Sequence, residues 1–461
     1  MVTAYTAHER SDKKPLPALG ARWQDLPRAY WHTHIAMPIA SEMQVARLGE
    51  ARIPNPFSTS YVDDRERLVH PAMLSEVQQY LRAGEELPSF EIAGPRERIF
   101  FDPRGLRCGI VTCGGLCPGL NDVIRAVVLS LHHHYGVRTV LGFRYGYEGL
   151  GSRGLPPAEL TPATVDGIHL QGGTVLGSSR GPEPASAMVD TLERLGVGIL
   201  FVVGGDGTLR GAQAVAEEVR RRGRPIGVIG IPKTIDNDIA FIQQTFGFET
   251  AVIESRHVIR AANSEAVGAR NGVGLVKLMG RHSGFIAAYA TLANGDVNFC
   301  LVPEVRFGLD GFLAALDHRL HQRGHAVVVV AEGAGQDLLA SMGERDASGN
   351  VRLGDVGVFL RDRIQEHCRG RRSDVSVRYI DPSYGIRSAP ANARDAAFCL
   401  ALAHNAVHAG MAGRTDMVVG YWKHEFTHVP IALAVSARKQ IDPAGRLWSQ
   451  VLGATGQPHA M

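Results

Sequence analysis

The sequence predicts an α/β protein built on parallel sheets, and three observations carry that prediction. Short β-branched runs recur at 109–112, 199–203, 226–231, 273–278, 326–331, 375–379 and 417–421. Amphipathic stretches of helical period separate them, as parallel strands joined by crossover helices require. Glycine is abundant, at 53 residues, and it gathers at several of the strand-to-helix joints, where the backbone has to turn tightly.

The first helix is the plainest. Leu120, Val123, Ile124, Val127, Val128 and Leu131 share one face, and Gly136 is placed to end the helix in a left-handed C-cap. His132, His133 and His134 fall at that end, which reads as a helix terminus in solvent, with metal binding as the alternative. Residues 1–95 have weak periodicity and many Pro, Arg and Glu. They are expected to form an N-terminal extension packed on the main body, with Trp23, Trp31 and Phe57 arguing against full disorder.

The totals exclude several classes. The 461 residues, 45% of them hydrophobic, suffice for two or three domains. A net charge of +3 implies neither a nucleic-acid nor a membrane surface as partner. Six cysteines in so long a chain build no disulfide framework, so a reducing cytoplasm is expected. The opening residues lack the apolar core of a signal peptide, and no run is long enough to span a bilayer.

Three loops carry chemistry. In "TCGGLCPGLNDVIR", Cys113 and Cys117 are spaced one residue too far for the usual redox pair, and no second Cys or His pair completes a zinc site. Gly114, Gly115 and Gly119 instead bare the backbone just before a helix N-terminus, where an anion is stabilised. Taken alone, the loop fits a structural turn as well as a phosphate site. It is not a Walker A loop, because Leu120-Asn121 stands where Lys-Ser/Thr is needed. The second loop, "VVGGDGTLRGA", repeats strand, glycine turn and helix and adds Asp206. A carboxylate beside phosphate needs a cation between them, so Asp206 is a candidate Mg²⁺ ligand, or else a cap for a helix starting near Thr208. The third loop, "PKTIDND", puts Asp236 and Asp238 two apart after a strand and Lys233. One carboxylate can then face a reacting hydroxyl and the other a metal, the division that phosphoryl transfer uses.

With "GGTVLGSSRGP", "VKLMGRHSGFIA", "VVVVAEGAGQD", "YIDPSYGIRSAP" and "LWSQVLGATGQP" following in order, the chain from about residue 96 resembles the phosphofructokinases. The spelling is most similar to their plant and trypanosomatid ATP-dependent branch. The resemblance implies two Rossmann-like three-layer domains with parallel sheets and an active site in the cleft between them. The larger, nucleotide domain would hold residues 96–233 and about 389–430, and the smaller, sugar domain 234–388 and about 431–461. It implies transfer of a phosphoryl group from ATP to fructose 6-phosphate in glycolysis, with Mg²⁺, in a homotetramer. Asp236 would be the base, with Thr234, Lys233 and Arg180 assisting. Gly114, Tyr145, Arg180, Gly181, Gly205, Asp206, Gly207 and Thr208 would hold ATP, with Asp206 on the metal. Thr234, Asp236, Asp238, Met279, Gly280, Arg281, Glu332, Tyr384 and Arg387 would hold the sugar phosphate, and Arg378 would reach it from a neighbouring subunit.

Two departures from the short bacterial members concern this sugar side: the place where they carry a subunit-bridging Arg falls near Gly272, with Arg270 close by, and Tyr384 stands where they carry a His. Pyrophosphate users of the family pair an Asp at the position of Gly207 with a Lys at that of Lys233. Gly207 with Lys233 is the ATP combination, since a carboxylate at 207 would crowd and repel the α-phosphate. A pyrophosphate-dependent enzyme and a kinase of another sugar phosphate, such as sedoheptulose 7-phosphate, are the alternatives. Lipid and NAD kinases share Gly-Gly-Asp-Gly-Thr but not "PKTIDND". A catalytically dead subunit would have lost Asp206, Asp236 or Arg281.

Overall fold

The computed structural model describes residues 39–57, 60–339, 352–370 and 374–461. Trp23 and Trp31 lie outside them. The strands of its two main sheets are, in chain order, β1 (Arg67–Val69), β2 (Ser89–Ile92), β3 (Arg107–Thr112), β4 (Thr139–Phe143), β5 (Ala158–Glu159), β6 (Val197–Gly204), β7 (Gly227–Pro232), β8 (Gly272–Leu278), β9 (Phe299–Leu301), β10 (His325–Ala331), β11 (Ser376–Ile380), β12 (Met417–Trp422) and β13 (Glu425–Pro430). All seven predicted strands are among them.

The larger sheet has nine strands in the order β1-β2-β13-β12-β7-β6-β3-β4-β5. Its centre, from β12 to β4, is parallel. These central strands are continuous apolar runs because helices cover both faces. The edges are antiparallel, which the sequence reading did not include. A physical reason is visible at β12–β13. Lys423 and His424 both take positive φ, 47° and 69°, and make a two-residue turn that no crossover could replace. That turn is not spelled with glycine, so it carries no sequence signal. Lys423 steadies it by donating to the carbonyls of Val69 and Pro71 at 3.1 and 2.7 Å.

The smaller sheet is parallel throughout, in the order β9-β10-β8-β11. Helix α1 (Leu120–Ser130) follows β3, α2 (Asp206–Arg221) follows β6, α3 (Phe248–Val267) leads into β8, and α4 (Ala393–Met411) packs against α1. As read from the sequence, α1 is closed at Gly136, with φ 74°, through one wide turn over Leu131–Tyr135. The triple histidine is not simply a solvated terminus. His133 is exposed, but His134 stacks on Phe57 with ring centroids 4.2 Å apart.

The described residues between 39 and 95 join the body directly. β2 pairs with β13, and Ala46–Arg47 pairs with Arg414–Thr415. The junction is ionic and buried. Glu91 meets Arg96 at 3.1 Å and also contacts Arg414, and both arginines are almost wholly enclosed. Burial alone would raise the Glu91 pKa, but His428 and Arg414 hold its carboxyl far below the usual range. A buried pair that loses one partner leaves a charge uncompensated. Glu91→Ala is therefore expected to lower the unfolding free energy by about 3 kcal/mol, read from denaturant titration.

Candidate active site

The three loops singled out above leave the C-terminal ends of β3, β6 and β7, which are neighbours in the sheet, so register brings the loops together. The Cys113 amide donates to Val203 O at 2.9 Å, and the Lys233 amide to Gly204 O at 2.9 Å. The result is a cleft of about 1070 Å³.

The first loop is held by backbone conformation. Gly114 and Gly119 have φ of 86° and 102°, and a Cβ on Gly119 would come within 2.6 Å of Cys399 Sγ. Cys113 and Cys117 are buried, and burial pushes the Cys113 thiol up to about 12 and Cys117 higher still. They are packed thiols and neither a metal nor a redox pair. The amide of Gly114 donates to Ser179 O, and Ser178 Oγ donates back to Gly114 O, which seats Arg180 and Gly181 on the cleft wall.

In the second loop α2 begins at Asp206, with Gly205 as its N-cap, two residues earlier than the sequence suggested. Asp206 does not cap the helix. Its carboxylate meets Arg210 and Arg438, each at 3.3 Å. Gly207 faces open space, where a Cβ would meet nothing within 4 Å. Thr208 is buried, and its carbonyl accepts from Tyr147 Oη.

The third loop separates its two carboxylates as expected. Thr234 Oγ1 donates to Asp238 at 2.8 Å, and Arg438 donates to the other Asp238 oxygen at 3.0 Å. Asp236 turns away, and its Oδ1 is buried without a hydrogen-bond partner among the described residues. Burial, with Asp238 and Glu332 nearby, pushes the Asp236 carboxyl up to about 7, against the pull of Arg387. Asn237, with φ 55°, makes the bend between the two acids, and its Oδ1 accepts from the Thr245 amide at 3.0 Å. Lys233 is buried and donates to Gly115 O at 2.8 Å, which joins the first loop to the third.

The far wall comes from the smaller sheet. Arg281 follows β8, Glu332 follows β10, and Arg387 pairs with Glu332 at 3.8 Å. Five other predicted residues do not line the cleft. Met279 is in the core, and Gly280, at φ 121°, shapes the turn into Arg281. Tyr145 packs on Gly177, while Tyr147 takes a place on the wall. Tyr384 is 82% exposed, and Arg378 lies outside, 3.6 Å from Glu265. Gly272 has its own reason to be glycine, because a Cβ there would sit 2.1 Å from Ala266 O.

The cleft also holds Arg210, His282 and Arg438, which the sequence reading passed over. Arg210 and His282 stand just after the glycines of "VVGGDGTLRGA" and "VKLMGRHSGFIA", whereas Arg438 lies in no glycine motif.

Taken together, the cleft offers glycine loops and basic groups on one side, and on the other a half-buried carboxylate of raised basicity with one enclosed oxygen open to a hydrogen bond. Such a site can hold a polyphosphate and remove a proton from a hydroxyl. Comparison with known proteins agrees with this chemistry. The phosphofructokinase family model matches residues 107–410. An ATP-dependent 6-phosphofructokinase of Amycolatopsis methanolica is 48% identical over 436 residues, covering 90% of this chain and 95% of its own. One from Trypanosoma cruzi is 47% identical over 420 residues, covering 89% and 87%. Among solved structures, a pyrophosphate-dependent phosphofructokinase from Marinobacter aquaeolei superposes with a TM-score of 0.64 at 20% identity, covering 77% of this chain and 92% of its own, which bears on fold alone. By its loops, its sheets and its relatives, the chain belongs to the phosphofructokinase family.

Proposed function

We propose that the protein transfers the γ-phosphoryl group of ATP to the 1-hydroxyl of fructose 6-phosphate. The observation that carries this reading is Asp236, whose Oδ1 is enclosed in the cleft without a partner among the described residues and whose carboxyl is pushed up to about 7. A group of that basicity can take the hydroxyl proton near neutral pH. Lys233 and Arg180 flank the phosphate loops and would balance charge on the transferred group, while Thr234 keeps Asp238 turned from the base. Gly114, Gly181, Gly205, Gly207 and Thr208 would hold the nucleotide phosphates. Arg281, Glu332 and Arg387 would hold the sugar phosphate, with Met279 and Gly280 shaping their turn. Tyr145, which packs on Gly177 outside the cleft lining, is proposed for the nucleotide, and exposed Arg378 and Tyr384 for sugar-phosphate contacts completed in a homotetramer. The nucleotide lobe would be 96–233 with about 389–430, and the sugar lobe 234–388 with about 431–461.

Mg²⁺ fits this donor set. Asp206 presents hard oxygens on the cleft wall, and its present counter-charges are guanidinium groups, so the position accepts a cation. No cage of three or more His, Cys, Asp or Glu is found among the described residues. Mg²⁺ needs only one or two protein carboxylates, because it keeps water and phosphate oxygens as ligands. When bound, the metal would neutralise charge on the β- and γ-phosphates. Asp206 is the residue that would hold it.

ATP is favoured over pyrophosphate by Gly207, whose missing side chain leaves room beside the loop, and by the names of the relatives. The described residues contain no helix long and apolar enough to cross a membrane, and the cysteines among them are free and buried. The cytoplasm is the compartment we infer.

Product formation from fructose 6-phosphate, assayed in parallel with ATP and with pyrophosphate, tests the reading, and turnover with pyrophosphate alone would overturn the donor. Asp236→Asn is expected to lower kcat about 10²–10⁴-fold with KM for either substrate little changed. Because the base must be ionised, kcat/KM in the wild type should be full above the Asp236 pKa of about 7 and fall about tenfold per pH unit below it. Gly207→Asp should raise KM for ATP by about tenfold or more while leaving that for fructose 6-phosphate near wild type, as steady-state kinetics would show.

A further inference from the structure

Arg438 reaches the cleft from a segment remote from the three loops. Its backbone lies antiparallel to Ile239, and the neighbouring Lys439 amide donates to Asp238 O at 2.8 Å. Lys439 is half-buried beneath the loop and donates to Asn237 Oδ1 at 3.2 Å and to Ile242 O at 2.7 Å. The segment is thus fixed to the loop that carries Asp236 and Asp238.

The guanidinium bridges two of the loops. One nitrogen lies 3.0 Å from Asp238 Oδ2 and another 3.3 Å from Asp206 Oδ2. These carboxylates come from different loops, after β7 and β6. The planar fork of arginine offers a separate nitrogen to each of the two acceptors. Arg210 supports Asp206 from the other side at 3.3 Å. With Arg438 in place, both acids are charge-compensated without any metal.

We propose that Arg438 is a positioning residue that takes the place of the divalent cation between Asp206 and Asp238 and makes cation entry depend on nucleotide. A free divalent cation would have to displace a guanidinium already paired to both acids. A nucleotide brings its own negative oxygens, which can take over Arg438 while the cation it carries takes Asp206. The proposal rests on reading the cleft as a metal–nucleotide site.

The test uses Mn²⁺ as a paramagnetic probe on the full chain, followed by electron paramagnetic resonance, with Mn²⁺ alone and with Mn²⁺ plus ADP. Wild type is expected to bind Mn²⁺ weakly alone and far more tightly with ADP. Arg438→Gln should bind Mn²⁺ alone about tenfold more tightly, as removal of a neighbouring positive charge implies, without a parallel gain for Mn²⁺ plus ADP. Arg438→Lys should fall between, and it carries the test if circular dichroism shows the glutamine variant unfolded. The gain should vanish in Asp206→Asn/Arg438→Gln. Wild-type affinity for Mn²⁺ alone in the folded Arg438 variants, or a gain that survives the Asp206 change, would overturn the proposal. If wild type fails to bind Mn²⁺ with ADP, or binds it regardless of Asp206→Asn, the nucleotide reading itself falls and the proposal with it.

Discussion

The register of three neighbouring parallel strands is the constraint on which the cleft depends. β3, β6 and β7 run side by side, with Thr112 opposite Val203 and Gly204 opposite Pro232. Their loops therefore emerge at one height, and the backbone bonds Cys113 to Val203 and Lys233 to Gly204 extend the ladder into the loops themselves. A parallel sheet with its switch of direction on either side leaves a crevice at this end. A slip of one residue in β7 would invert Ile231 and Pro232 and carry Lys233 away from Gly115 O. The chemistry of the cleft is thus set first by main-chain pairing and only then by side chains.

That pairing forces acidic groups together in a poorly solvated space, and the arginines are the response. Asp206, Asp238 and Glu332 each have a guanidinium within 4 Å, at Arg210 or Arg438, Arg438, and Arg387 respectively. Asp236 is treated differently. Its Oδ1 has no partner among the described residues, and desolvation with Asp238 and Glu332 nearby raises its proton affinity. An unsatisfied buried oxygen costs stability, so its persistence is best understood as capacity kept for a ligand. Identical residue types two positions apart thus acquire different surroundings, Asp238 paired with Thr234 and Arg438 and Asp236 with an oxygen left open.

Legibility in the sequence followed the same physics. Buried parallel strands are continuous apolar runs, so all seven read from the sequence were found. The Gly-rich loops were visible because positive φ at Gly114 and Gly119 and the close approach at Gly204 require glycine. What stayed hidden obeyed no local rule. The antiparallel edges turn on Lys423 and His424, which adopt positive φ without the usual residues. Gly280 and Met279 lie in the right motif yet shape a turn and fill the core, because a motif fixes neighbours in sequence and not the direction of each side chain. Tyr145 and Tyr147 illustrate the point at two residues' distance: one packs outside on Gly177, and the other reaches the wall over Gly211.

Arg438 was the least legible, since it meets Asp206 across 232 residues of chain. Its segment also ties the two walls of the cleft. Ser283 Oγ donates to Lys439 O at 2.5 Å, Gln440 donates to His282 O, and Glu304 accepts from the amides of both Gly284 and Ile441. The loop after β8, which carries Arg281, and the loop after β7, which carries Asp236, are thereby pinned to one strap. The separation of the loops that carry Asp236 and Arg281 is then fixed by hydrogen bonds of the scaffold rather than by the ligand. Pre-set separation of this kind lowers the ordering cost of bringing two substrates together, which is where a phosphoryl-transfer site with little covalent chemistry of its own has most to gain.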